Sequence, residues 1–127
     1  GHLVRRLPVE DSPGWHGDVG RVEQFFAPDR LGDLEARLGL APGGFTSKTA
    51  VIFICGLQGT IGTTITNLCA RGFVPDHKRM REALGVAAEQ PATLFYEQYD
   101  TEPVIDIKNP DVVAPLAAQL AAALKSL

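Results

Sequence analysis

Cysteine is scarce in this chain, and so are long apolar runs and any excess of positive charge. Two cysteines occur in 127 residues, Cys55 and Cys69, with no CxxC pair and no Cys/His cluster. Neither a disulfide framework nor a zinc site is supported, and a reducing, cytoplasmic setting is the default expectation. The longest apolar run, Val51 to Cys55, is far short of the roughly 20 residues that span a bilayer, and no charged leader precedes an apolar segment. A soluble protein with no membrane partner is expected. The formal net charge is -3 and the pI is near 5.5, so the chain lacks the basic face of a nucleic-acid binder. His16 and His77 have no partner at a recognisable spacing and read as surface residues.

What is present is enough apolar residue, 45% of the chain, to build the core of one domain. Leu3 to Pro8 reads as a short extended segment, with Pro8 ending sheet pairing. Val9 to Gly20 is a loop with a turn around Ser12 to Trp15, and Trp15 is expected to cap the edge of the core. Val22, Phe25 and Phe26 predict a short helix. Leu31, Leu34, Leu38 and Leu40 continue a helical stripe, with Asp33, Glu35 and Arg37 facing solvent, up to the breakers at Gly39 and Pro42-Gly43-Gly44. A helix is predicted over 61–71, with Ile61, Ile65, Leu68 and Cys69 inward and Gly72 as its stop. A second, basic helix runs from Pro75 to Leu84, carrying His77, Lys78, Arg79 and Arg81. Thr93 to Tyr99 is a strand, Val104 to Ile107 extends or follows it, and Asn109-Pro110 opens a terminal helix.

The chain is organised around Val51-Ile52-Phe53-Ile54-Cys55-Gly56-Leu57-Gln58-Gly59-Thr60-Ile61-Gly62. A run of β-branched and aromatic residues enters a glycine turn and then a helix, the unit with which α/β proteins hold nucleotides. The unbroken apolar run predicts burial on both faces, as in a parallel sheet. Gly56 and Gly59 let the backbone approach a ligand, and the helix N-terminus offers N–H groups to a negative group, so the turn suits a phosphate or a flat ring. A glycine turn that merely packs a helix on a strand is the competing reading.

Ile54-Cys55-Gly56-Leu57-Gln58-Gly59 resembles a segment of the plant-type ferredoxin–NADP reductases in which Cys-Gly-Leu, one variable residue and a glycine follow a strand. Leu94-Phe95-Tyr96-Glu97-Gln98-Tyr99 resembles the strand of that family that ends in Glu-x-Tyr. Arg5-Arg6-Leu7-Pro8 and Trp15-His16-Gly17-Asp18-Val19-Gly20-Arg21-Val22 resemble its Ser-Arg strand and its later Gly-x-Val-Gly-Arg-Val segment, in the same order. The resemblance covers residues 3 to 99. It implies an α/β fold: part of a doubly wound, Rossmann-like parallel sheet of about three strands with flanking helices. Residues 3–127 would then be the second part of an NAD(P)-binding domain, with a helical extension over 108–127. The flavin-binding barrel and the Gly-Thr-Gly turn of the family have no counterpart in the sequence.

The resemblance also implies roles. Cys55 lies beside the point where nicotinamide meets the flavin of FAD, Glu97 acts there as a polar or proton-relaying group, and Tyr99 stacks on the flavin ring. Gly56, Leu57, Gln58 and Gly59 line the cofactor, and Arg5, Arg6 and Arg21 pair with the 2′-phosphate of NADP, although the family serine is not matched and NAD stays open. The implied partner is a ferredoxin or a flavodoxin-like electron carrier. Other readings of the residues stand beside this one: Cys55 as an inert core cysteine or as a nucleophile, and the chain as a non-catalytic interaction module that docks through its terminal helix or forms a homo-oligomer through an exposed sheet edge.

Overall fold

A computed structural model describes residues 4–5, 18–19 and 22–127. The elements in chain order are β1 (Val4–Arg5), β2 (Asp18–Val19), a 3-10 turn (Val22–Phe26), α1 (Leu31–Arg37), β3 (Ile52–Gly56), α2 (Gln58–Leu68), a second 3-10 turn (Cys69–Arg71), α3 (Lys78–Ala83), β4 (Leu94–Gln98) and α4 (Pro110–Ser126). The expected strand at 3–8 is seen as β1 alone. Pro8, the loop around Trp15, and His16 lie outside the described residues.

The fold is mixed α/β, with parallel pairing. β3 and β4 run parallel, with Ile52 opposite Leu94, Ile54 opposite Tyr96, Cys55 opposite Glu97 and Gly56 opposite Gln98. A parallel pair needs a long crossover, and α2 and α3 supply it. β1 and β2 form a separate parallel pair. The described residues therefore hold two two-stranded sheets, not one sheet of about three strands.

Val104 to Ile107, expected as strand, is irregular. Val104 and Ile105 are buried, and the Val104 carbonyl lies so close to α2 that a Cβ on Gly62 would stand 2.5 Å from it. Glycine at 62 thus lets this segment cross the helix, and its apolar residues are satisfied there instead of in the sheet.

α2 buries its inner side as its spacing predicts: Ile61, Ile65, Leu68 and Cys69 are fully enclosed. It begins at Gln58, earlier than expected, and Cys69–Arg71 tightens into a 3-10 turn ended by Gly72 at φ 80°. The left-handed φ is what calls for glycine there; a Cβ would also stand 2.7 Å from Leu127 Cδ1, the end of a side chain that can turn away. Against α2 pack Ile54 of β3, Leu94 of β4, Phe73 and Val74, while Leu116 and Leu120 bring α4 onto the same core. Each such apolar side chain contributes about 1.5–3 kcal/mol when fully buried.

Three further expectations are corrected. Pro75 does not start a helix: it bridges Leu94 in parallel, with Val74 O accepting from Thr93 N and Leu94 N, so the chain stays extended until His77 and α3 begins at Lys78. Glu35 does not face solvent: it is 2% exposed and accepts from Phe45 N and Arg71 Nη1, both at 2.9 Å. β3 is not buried on both faces, because Phe53 and Val51 are 66% and 52% exposed; α2 packs on the other face.

Candidate active site at the end of the parallel strands

Side chains alternate across a strand. On β3, Ile54 turns into the core while Phe53 and Cys55 face outward. On β4, Leu94 is buried while Glu97 is exposed. The parallel register brings Cys55 and Glu97 side by side on the outer face. One layer earlier, Phe53 and Phe95 stack at 5.0 Å with planes 14° apart. One step later, the Tyr99 N–H donates to Gly56 O at 2.8 Å, which carries β4 one residue further along β3 and sets the tyrosine on the same face as Cys55 and Glu97.

The predicted trio is therefore brought together at the carboxyl ends of both strands. Cys55 is exposed, which removes the core-cysteine reading. The inert thiol is Cys69, whose pKa burial pushes up to about 12. The Tyr99 ring is 62% exposed. The nearness of Cys55, ahead of the charge on Glu97, pushes the phenol's pKa up. A phenol, a thiol and a carboxylate thus share one exposed face at the strand ends.

The turn between β3 and α2 departs from expectation in two ways. Gly56 has φ 158° and leaves space for Thr60, to which a Cβ would come within 3.4 Å. Gly59 lies inside the first turn of α2 with nothing within 4 Å of an added Cβ, so internal packing does not require glycine there. The N-terminus of α2 is not open to an anion either. The backbone N–H of Gln58 donates to both carboxylate oxygens of Asp100 at 3.2 Å, and Gln98 Nε2 donates to Asp100 Oδ1 at 2.6 Å. A carboxylate at this end complements the helix dipole.

Asp100 is a residue that reading the sequence missed. It stands 42 positions from the N–H it caps, beyond the reach of any capping motif.

Leu57 is 56% exposed and Gln58 opens α2. Arg5 belongs to β1 by its backbone, opposite Val19. Its side chain, Arg6 and Arg21 lie outside the described residues.

A second concave feature lies at the start of β3. It is an apolar cavity of about 350 Å³ lined by Val22, Phe26, Leu34, Phe45, Val51 and Phe53 among others. Among the described residues no cluster of His, Cys, Asp and Glu is arranged to hold a metal ion, and no helix is long and apolar enough to cross a membrane. Comparisons with protein-family models, with curated proteins and with solved structures returned no match.

Proposed function

We propose that Cys55, Glu97 and Tyr99 form the nicotinamide-facing wall of a hydride-transfer site, in a flavin-dependent reductase resembling the ferredoxin–NADP reductases. The observation that carries this reading is the placement of all three side chains on one exposed face at the carboxyl ends of two parallel strands, where α/β sheets bind their ligands. The finer fold proposed with it is a doubly wound sheet of which β3 and β4 are two strands. FAD would be held mainly by residues outside this chain, and a ferredoxin or flavodoxin-like carrier would take or deliver the electrons.

The residues suit a flat ring better than a phosphate. Asp100 already occupies the α2 N-terminus, so a diphosphate brought to the turn meets a carboxylate instead of free N–H groups. A ring, neutral or cationic, meets no such penalty. Arg5, Arg6 and Arg21 remain assigned to the distant phosphate end of NADP, or of NAD.

When bound, nicotinamide and FAD supply the hydride donor and acceptor, two electrons and one proton moving together. The chain's own part is to bind and exclude. Tyr99 would stack on the flavin ring and swing aside to admit nicotinamide, a motion its exposure permits. Cys55 occupies little volume and leaves a flat floor. Glu97 can hold or pass a proton at the rim through its carboxylate oxygens, and the Gly56–Gly59 backbone allows close approach.

The test is reduction of the flavin-loaded full-length protein, followed at the flavin absorbance. Bleaching by NADPH or NADH is the expected result, and a protein reduced by neither rejects the reading. The 127-residue chain alone is expected to be inactive and to bind little flavin.

The outer face of the sheet favours a second reading. Val51, Phe53, Leu57 and Tyr99 are each more than half exposed, an uncommon concentration of large apolar side chains for a free surface. In that reading the chain is a non-catalytic α/β interaction module that self-associates through this face. Sedimentation velocity across a concentration series separates the two: reversible dimerisation without any effect of NADP(H) supports the module.

A further inference from the structure

Among the described residues five large apolar side chains are more than half exposed, and three of them, Leu38, Val51 and Phe53, line the cavity of about 350 Å³ at the start of β3. Its floor is made by Phe26, Leu34, Phe45 and Ile54, all of them buried. The cavity thus runs from an apolar rim down to the core. Every described side chain that lines it is apolar, so a charged or hydrogen-bonding group placed inside would lose its water and gain no partner. The walls are fixed by bonds that do not cross the cavity. Leu34 and Leu38 stand on and just after α1, whose Glu35 accepts from Phe45 N and Arg71 Nη1, both at 2.9 Å. Phe45 in turn stacks on Phe26 at 6.0 Å and leans on Phe73 at 5.3 Å, and β3 is held from its other side by β4.

We propose that this cavity is a binding site for the uncharged, apolar part of a small molecule, a two-ring aromatic or an alkyl chain. Its volume lies within the roughly 300–1,000 Å³ of small-molecule sites. At about 30 Å³ for each carbon, the share of a water molecule in the liquid, it holds on the order of ten carbons. The buried floor is what selects a slender guest, because a second protein surface would meet the rim alone. Preformed walls help, since a guest that fills them does not have to order them. The rim at Val51 lies at the amino end of β3 and Cys55 at its carboxyl end, so this site is distinct from the hydride-transfer wall and stands whether or not that reading does.

N-phenyl-1-naphthylamine, a neutral aromatic probe whose fluorescence rises on leaving water, tests the site on the 127-residue chain. One saturable site per chain is expected, with 1-decanol competing for it. Decanoate distinguishes two sources of the same apolar group: competition by both means that a charged head can stay outside the rim, and competition by decanol alone means that the whole guest is enclosed. Ala50→Leu and Val22→Phe each add carbons at a lining position and are expected to weaken the probe by about tenfold or more, since every carbon of the guest they displace costs a few-fold in affinity. Two such variants keep the test open if one fails to fold. Leu57→Ser, at an exposed position that does not line the cavity, is expected to leave the affinity unchanged.

Absence of saturable binding overturns the proposal. So does an affinity that neither filling variant changes, or one that Leu57→Ser abolishes, which would place the probe on the exposed surface. A probe affinity that falls as the protein concentration rises also overturns it, because a second copy of the chain would then be seated on the rim.

Discussion

Phe53 and Phe95 are register partners across the parallel pair, and their rings stack 5.0 Å apart on the outer face of the sheet. Phe53 is 66% exposed. Phe53→Ser is therefore expected to cost no more than about 1 kcal/mol, the worth of an aromatic pair, against about 3–5 kcal/mol for an enclosed phenylalanine such as Phe73 changed to Ala. Urea denaturation of both variants tests the contrast. If the outer face drives self-association, Phe53→Ser also lowers the weight-average mass in sedimentation, with the fold retained.

Glu35 joins three parts of the chain: its own helix α1, the backbone at Phe45 and the Arg71 guanidinium. The Phe45 N–H holds its carboxyl below the usual range, burial opposes this, and the Gly43 N–H and Arg71 add to the lowering. A carboxylate with a depressed folded pKa adds stability above its unfolded value of 4.5, and that stability is lost as pH falls through the lower folded value. Unfolding free energy should fall on acidification below about pH 4.5, and Glu35→Gln should flatten this slope. Glu35→Ala should cost about 3 kcal/mol, because Arg71 and the Phe45 N–H lose their partner. Urea titrations between pH 3 and 7 check the sign.

At Gly62, a methyl group would meet the Val104 carbonyl at 2.5 Å. Gly62→Ala is expected to destabilise by about 1–3 kcal/mol despite alanine's better helix propensity, since overpacking against backbone is not relieved by a rotamer change. At Gly59, where nothing lies within 4 Å, the same substitution should be neutral or stabilising by up to about 1 kcal/mol. Thermal unfolding of the two variants reads opposite shifts.

The two thiols are expected to differ sharply. Cys55 is exposed and Cys69 is enclosed, its pKa near 12, so at neutral pH alkylation should label Cys55 alone until denaturant is added. Protection of Cys55 by NADP+ or NAD+ supports the hydride-transfer reading. Fast labelling without protection by either favours the nucleophile reading instead.

Much of the fold was legible locally. The inward stripe Ile61, Ile65, Leu68 and Cys69, the stop at Gly72, the strand expected over 93–99 and seen as Leu94–Gln98, and the helix opened by Asn109-Pro110 each follow from spacing or backbone chemistry within a few residues. Glu35 was misread because an isolated helix shows only which positions are polar, while its partners Phe45 and Arg71 come from elsewhere in the chain. Pro75 was misread for a related reason. Its ring suits a helix start, but the strand at Leu94 offers the preceding backbone two hydrogen bonds that a helix would forfeit.

Residue type and alternation by themselves determined that Cys55, Glu97 and Tyr99 stand at strand ends, because alternation with period two needs no knowledge of the neighbours. Only the tertiary structure decided that the three share one exposed face, since that depends on the register of two strands separated by two helices. It also decided that the α2 N-terminus belongs to Asp100. A cap supplied across 42 positions leaves no local signature, because the contact is set by where the chain returns and not by what precedes the helix.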